Sequence, residues 1–168
     1  AARAQHQPLP LARRLGEIAR QVERCAHLGQ QAAAALLARA GLGTSSPALL
    51  LGMVTRLAEQ KGLELVVDAL PPLLRRREVQ VVVLGQGEAR YAAQLREMAA
   101  AFPGQFHYFD AQDEALARLV FAGSDAFLVP SIYEPCGLTQ LYALRYGAVP
   151  VVRETGGLKD TVRHFDSR

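Results

Sequence analysis

The sequence predicts an α/β fold whose core is a Rossmann-like, doubly wound parallel sheet. From residue 48 onward, short apolar runs typical of buried strands alternate with helical patterns, which is the order of βαβ units. Three groups of polar or glycine-rich residues directly follow predicted strands, at the sheet end where open α/β folds bind ligands. A chain of 168 residues, half of them hydrophobic, suffices for one such domain but is short for two.

The first 47 residues are expected to form a helical and linker segment ahead of this domain. Pro8 and Pro10 interrupt its start, and the stretch rich in Ala, Arg, Gln and Leu that follows predicts a helix over Leu11–Ala40. Residues 41–47 indicate a turn or linker. Residues 48–168 are assigned to the Rossmann-like domain.

Nine elements then alternate along the chain. Short apolar runs predict the strands, and apolar residues at helical spacing predict the helices between them. The predicted strands are 49–54, 79–84, 106–109, 125–129 and 149–152, and the predicted helices are 62–74, 88–102, 113–122 and 138–146. Pro71 and Pro72 are expected to limit the first of these helices, and Gly147 to close the last. A further helix is expected after Gly157, and we expect the domain to be truncated within it.

Nucleic acid and membrane partners are not expected. The 19 basic residues are accompanied by 16 acidic ones and spread along the chain, so the net charge of +3 indicates a solvated surface instead of a basic patch. No apolar run approaches the roughly 20 residues that span a bilayer. Cys25, Cys136 and the four histidines show no disulfide spacing and no metal pattern. Without a secretory leader pattern, a reduced cytoplasmic protein is predicted, or a plastid stroma protein in a plant or alga.

The first group of candidate site residues is the loop after the first strand, which carries Arg56 and Lys61. A guanidinium and an ammonium five residues apart across a turn can both face a diphosphate. Two loop cations are also common on plain protein surfaces, so this pair gains meaning only together with the other groups.

The second group, residues 130–140, runs from a buried strand into the start of a helix. Free backbone N–H groups and the positive end of the helix dipole favour an anion there, and Gly137 permits close approach of the backbone. Glu134 cannot be a phosphate ligand, so its carboxylate is assigned to sugar hydroxyls or to positive charge developing in a transition state. The alternative is an ordinary Glu-Pro turn.

The third group, residues 153–158, places Gly156 and Gly157 between a strand and a helix. It can serve a ligand, or it can supply only the flexibility that a strand-to-helix connection needs. Gly85 and Gly87 suggest a dinucleotide fingerprint, but Arg90 stands where the third small residue of that motif belongs.

Four other polar residues are weaker candidates. Asp110 and Asp113 have no supporting metal ligands and are interpreted as a turn residue and a helix N-cap. Cys136 lies at a helix start, which can lower the pKa of a thiol, but no histidine is near it in the sequence. His107 is an ordinary alternating position of a strand.

Taken together, these residues give the chain a resemblance to the bacterial glycogen synthase and plant starch synthase family, and specifically to its C-terminal, nucleotide-binding half. The resemblance extends from about residue 29 to residue 165. It is carried by residues 55–57 with 60–63, 130–140, 144–147, and 155–158 with 160–162, in the family's order and at similar spacing.

The resemblance implies one half of a two-domain GT-B glycosyltransferase that moves glucose, with retention, from ADP-glucose to the non-reducing end of an α-1,4-glucan. Arg56 and Lys61 would bind the diphosphate and stabilise the leaving nucleotide, and Glu134 would act beside the donor glucose. The implied donor-binding set is Arg56, Lys61, Cys136, Gly137, Leu138, Thr139, Tyr142, Gly156 and Gly157. No metal or other cofactor is expected, because two cations and a helix terminus can neutralise a departing diphosphate.

One detail narrows the resemblance to the glucan synthases, and two others depart from it. Related transferases often have a second glutamate eight residues after the first, whereas Tyr142 stands here, as in the glucan synthases. Family members commonly place an aromatic residue against the adenine where this chain has Gln112. The family's acceptor-binding N-terminal domain, with a lysine-containing glycine-rich loop and a histidine, is not in this sequence.

The chain is therefore predicted to be a donor-binding fragment that is inactive alone and meets its glucan acceptor through the other domain. Two alternatives stay open. One is a non-catalytic module that binds nucleotide or glucan, and the other is a related glycosyltransferase that uses another nucleotide-sugar.

Overall fold

The computed structural model of the protein describes residues 11–43 and 48–164, with side chains from residue 26 onward. The predicted breaks at Pro8 and Pro10, part of the predicted linker, the side chain of Cys25 and the last residues of the chain lie outside this description. No helix among the described residues is both long enough and apolar enough to cross a membrane.

Five parallel strands form one sheet in the order β3-β2-β1-β4-β5. The strands are β1 Leu49–Val54, β2 Val79–Leu84, β3 Phe106–Phe109, β4 Ala126–Val129 and β5 Val149–Val152. The helices are α1 Leu11–Ala40, α2 Leu63–Arg75, α3 Ala89–Ala101, α4 Glu114–Gly123, α5 Thr139–Tyr146 and α6 Gly156–Thr161, with a 3-10 turn at Glu59–Lys61. The predicted doubly wound parallel sheet is confirmed, and its strand order reverses between β1 and β4, which is where such folds bind ligands.

Two hydrophobic clusters cover the two faces of the sheet because successive strand side chains point to opposite sides. Val81 and Val83 pack in the cluster formed by α2 and α3. Val82 and Leu84 pack in the cluster formed by α1, α4, α5 and α6. Burial on both faces explains why β2 is apolar apart from Gln80, and all of its residues are buried.

Pro71 and Pro72 lie inside α2, as the predicted span 62–74 has them. Proline removes a backbone donor and would break a helix in isolation. Here Leu70 and Leu74 are buried against the sheet on either side of the pair, so tertiary packing holds the last turn. The helix then ends at Arg75, close behind the prolines.

The C-terminal half of α1 packs against α4. Leu36 and Ala40 are buried in the cluster that contains α4, and Leu42 continues this contact beyond the helix. Gly123 brings the backbones together, since a Cβ atom there would lie 2.9 Å from the carbonyl oxygen of Ala32. The packing of α1 on α4 therefore helps to hold α4 against the sheet, and the first turn of α4 borders the candidate site.

Candidate active site

A cavity of about 600 Å³ opens at the carboxyl ends of the strands. Its volume lies within the range of small-molecule sites. Its lining comes from the ends of β1, β2 and β3 and from the first turns of α4 and α5. The lining residues are Val54, Thr55, Arg56, Lys61, Leu84, Gly85, Gln86, Ala111, Gln112, Asp113, Glu114, Ala117 and Thr139.

The loop after β1 holds Arg56 at this cavity. The Thr55 amide donates to Leu84 O at 3.0 Å and the Leu57 amide donates to Gln86 O at 2.8 Å. Gly85 is needed for this contact, because a Cβ atom there would lie 1.8 Å from the carbonyl oxygen of Thr55. The Arg56 side chain is exposed and forms no ion pair with any described residue. Its charge is therefore available to an anion in the cavity.

The 3-10 turn that carries Lys61 is docked on the loop after β4. The Ile132 amide donates to Gln60 O at 2.9 Å, and Gln60 Nε2 donates to Tyr133 O at 2.9 Å. Gly62 has a left-handed φ of 69°, and a Cβ atom there would lie 2.1 Å from the carbonyl oxygen of Pro130. These contacts fix the position of Lys61 relative to the second predicted group.

Lys61 and Glu134, which are 73 residues apart in sequence, meet in an ion pair of 2.5 Å between Nζ and Oε2. The Ser131 hydroxyl donates to the same carboxylate oxygen at 3.0 Å. The Lys61 and Glu134 side chains are only 22% and 13% exposed, so solvent screens this pair weakly. The sequence predicted both residues, but neither their pairing nor the contribution of Ser131.

Glu134 does not line the large cavity but a smaller one beside it. This second cavity measures about 10 Å³, close to the space that one water molecule needs. Lys61 lines both cavities, as do Val54, Thr55 and Thr139, and it pairs with the Glu134 carboxylate, so Lys61 lies between the large cavity and Glu134. The arrangement places a cation toward the large cavity and a carboxylate next to it.

Gln140 holds the backbone of the loop that leads into α5. It is fully buried, and its Nε2 donates to Cys136 O at 3.3 Å, to Gly137 O at 3.0 Å and to Thr161 Oγ1 at 3.0 Å. The sequence analysis did not single out this residue. The sequence does offer one sign of its role, since Gln140 is a polar amide within the apolar pattern of α5.

Gly156 and Gly157 lie directly behind the Glu134 loop. The Gly157 amide donates to Glu134 O at 2.9 Å. A Cβ atom on Gly156 would lie 2.1 Å from that same oxygen, and one on Gly157 would lie 2.2 Å from Cys136 O. Both glycines therefore support the loop and do not line the cavity, and their predicted contact with a donor stays a prediction.

Replacing Gly157 with alanine is expected to destabilise the protein by about 2 kcal/mol, because the added methyl group must displace the backbone at Cys136. Urea unfolding measures this change. Gly29→Ala is the matched control, since that helical glycine has no atom nearer than 3.9 Å to its Cβ position and should be neutral or slightly stabilising. Equal stability of Gly157→Ala and the unmodified chain would contradict the contact.

Besides Gly156 and Gly157, four residues of the predicted donor-binding set lie outside the cavity lining, namely Cys136, Gly137, Leu138 and Tyr142. Cys136 is an exposed free thiol, and Leu138 is exposed at the start of α5. The Tyr142 ring is half exposed and packs edge-on against Phe121, with 5.9 Å between ring centroids. Their roles with a donor stay predictions.

The segment after β3 forms the far wall of the cavity. Gln112 is exposed and lines it. Asp113 caps α4 as predicted, since its Oδ1 accepts from the Leu116 amide at 2.8 Å. Asp110 forms an ion pair with Arg96. Among residues 11–43 and 48–164, no cluster of His, Cys, Asp and Glu could hold a metal ion.

Tyr108 and His107 on β3 are not part of the lining. The Tyr108 hydroxyl donates to Gly85 O at 3.0 Å and so fixes the loop after β2. Burial, together with the nearby Asp110 carboxylate, raises the pKa of Tyr108 to about 12. Burial lowers the pKa of His107.

Comparison with known proteins gives one family and a set of close relatives. Residues 38–168 match the family described as glycosyl transferases group 1. The chain is 53% identical over 131 residues to a glycogen synthase of Aromatoleum aromaticum, which covers 78% of this chain and 26% of that protein. It is 47% identical over 126 residues to glycogen synthase 1 of Synechocystis, with 75% and 26% covered. The chain thus spans about a quarter of the length of these relatives.

Solved structures share the fold. The catalytic domain of starch synthase IV from Arabidopsis thaliana, bound to ADP and acarbose, superposes with a TM-score of 0.75 at 37% identity. That match covers 83% of this chain and 29% of the other. The HepE protein of Anabaena matches in fold alone, with a TM-score of 0.58 at 23% identity over 70% of this chain and 33% of its own.

Proposed function

We propose, from the premise that this chain belongs to the glycosyl transferases group 1, that it is the donor-binding part of a retaining glucosyltransferase. The donor is ADP-glucose, and glucose passes to the non-reducing end of an α-1,4-glucan. Two named relatives support this choice, since one is a glycogen synthase about half identical to the chain and the other a starch synthase domain bound to ADP.

The observation that carries the proposal is the position of Lys61 between two cavities, with Glu134 on one side and Arg56 on the other. Arg56, Lys61 and the start of α5 at Thr139 give the large cavity a positive end that suits a diphosphate. Glu134 lies beyond this end, behind Lys61, where the glucose of a nucleotide-sugar would follow its diphosphate.

In the proposed reaction, the bond between the anomeric carbon and the diphosphate oxygen breaks, and its electron pair goes to the diphosphate. Arg56 and Lys61 stabilise the negative charge that develops on the leaving group. Glu134, held by Lys61 and Ser131, faces the positive charge that develops on the sugar. The chain-end hydroxyl of the glucan then bonds to the anomeric carbon on the face that the diphosphate left, and its proton goes to the departing diphosphate.

The proposal also covers the glucan acceptor, the metal requirement and the compartment of the protein. The acceptor is bound by another part of the full-length enzyme, as the quarter-length match to the relatives suggests, so the chain alone is expected to transfer nothing. The two cations are expected to serve the diphosphate without a metal ion. The exposed free thiol of Cys136 suits a reducing compartment such as the cytoplasm or a plastid stroma.

Calorimetric titration of the chain with ADP and with ADP-glucose tests the proposal. Both ligands should bind, with affinities unchanged by EDTA. Labelled glucose should enter glycogen only when the N-terminal part of a glycogen synthase relative is added. Absence of binding by both nucleotides would refute the donor site. Binding without transfer in the reconstituted mixture would leave a binding module as the better description.

A further inference from the structure

The large cavity reaches across most of the sheet, from the α5 side to the loop after β3. Thr139 follows β4, Arg56 follows β1, and Gln112 follows β3. In the order β3-β2-β1-β4, the outer two strands are three spacings apart, roughly 14 Å. A diphosphate at the cationic end would therefore direct the nucleoside toward the β2 and β3 side of the cavity.

None of the described residues that line this far side is aromatic. They are Leu84, Gly85, Gln86, Ala111, Gln112, Asp113, Glu114 and Ala117. Tyr108 is nearby on β3, but it is buried and its hydroxyl is engaged by Gly85 O, so its ring is not presented to the cavity. A nucleobase held here has side-chain amides, carboxylates and small residues around it, and no ring of the lining to stack on.

Of the two amides on this wall, only that of Gln112 forms no hydrogen bond with a described residue. Gln86 Nε2 donates to Asp110 O at 3.2 Å, which uses that amide to fix the neighbouring loop. Gln112 is exposed and makes no side-chain hydrogen bond with any described residue. A glutamine amide offers a donor and an acceptor side by side, and either can face a ligand after rotation of the side chain.

We infer that the base end of this cavity binds the nucleobase through the Gln112 amide and not by aromatic stacking, so that the chain accepts ADP and UDP with similar affinity. This inference rests on the proposed function, because it requires that the cavity hold a nucleoside diphosphate. Adenine and uracil each present an adjacent donor and acceptor, which one rotatable amide can match. A stacking ring would instead favour the larger purine surface, and the lining supplies none.

Titration of the chain with ADP, UDP and inorganic pyrophosphate tests the inference. ADP and UDP should differ in affinity by less than about tenfold, the equivalent of about 1.4 kcal/mol. Gln112→Tyr should raise ADP affinity by about tenfold, within the range of base–aromatic stacking, and raise UDP affinity less. Pyrophosphate affinity should not change, since pyrophosphate has no base. Gln30→Tyr, on an exposed helix position outside the cavity, is the matched control.

Two results would overturn the inference. One is a preference of tenfold or more for either nucleotide in the unmodified chain. The other is a Gln112→Tyr chain with an unchanged ratio of ADP to UDP affinity. Failure of the proposed function looks different, since ADP, UDP and pyrophosphate would then all fail to bind.

Discussion

Replacing Arg56 and Lys61 together with alanine is expected to lower the affinity of the chain for ADP by a hundredfold or more. Charge-assisted hydrogen bonds contribute about 1.5–3 kcal/mol each, so two of them account for a loss of this size. Both side chains line the cationic end of the cavity, and Arg56 has no protein partner among the described residues that could replace the phosphate contact. Calorimetry with ADP at fixed ionic strength measures the loss.

The matched control for this double variant is Arg76→Ala with Lys159→Ala. Those two side chains form surface ion pairs with Glu78 and Glu154, lie outside the cavity lining, and remove the same net charge. Arg56→Ala alone separates binding from folding, because it breaks no ion pair within the described residues. Equal ADP affinity of the double variant and its control would show that the diphosphate does not bind at these cations.

Replacing Glu134 with glutamine is expected to retain or strengthen ADP binding while it lowers glucosyl transfer by about a hundredfold or more. The substitution removes the charge that pairs with Lys61 at 2.5 Å, so the ammonium becomes fully available to phosphate. It also removes the carboxylate that faces the sugar in the proposed transition state. Binding is measured by calorimetry, and transfer in the mixture with the N-terminal part of a glycogen synthase relative.

The opposite pattern would contradict the assignment of Glu134 to the sugar. If Glu134→Gln weakened ADP binding and left the transfer rate at saturating donor unchanged, the carboxylate would serve only to position Lys61. Glu154→Gln is the control, since that exposed carboxylate pairs with Lys159 outside the cavity lining and should alter neither measurement.

The strands and most helix bounds could be predicted because burial on both sheet faces leaves a local signature. β2 is apolar apart from Gln80, and its predicted bounds are the observed ones, Val79–Leu84. Asp125 was predicted as the first residue of β4, but the strand begins at Ala126. The Asp125 side chain instead accepts from the Leu50 amide at 2.8 Å, a contact with another strand that its own neighbours in sequence do not reveal.

The candidate site was predictable in its parts and not in its arrangement. Lys61 and Glu134 each follow a strand, but their ion pair depends on β1 and β4 being neighbours in the sheet. Strand order is a property of the whole fold and leaves no local pattern. Gln140 was missed for a related reason, because its three acceptors come from two segments that meet only after α6 has packed.

The most direct test of the account is an NMR titration of the ¹⁵N-labelled chain with ADP-glucose. We expect shifts of the backbone amides of Arg56, Lys61, Gln112 and Thr139, which line the cavity beyond the ends of β1, β3 and β4. Amides on the opposite, amino-terminal edge of the sheet, such as that of Val79, should not shift. Shifts absent from the cavity residues, or confined to other surfaces, would contradict the claim that this cavity is the donor site.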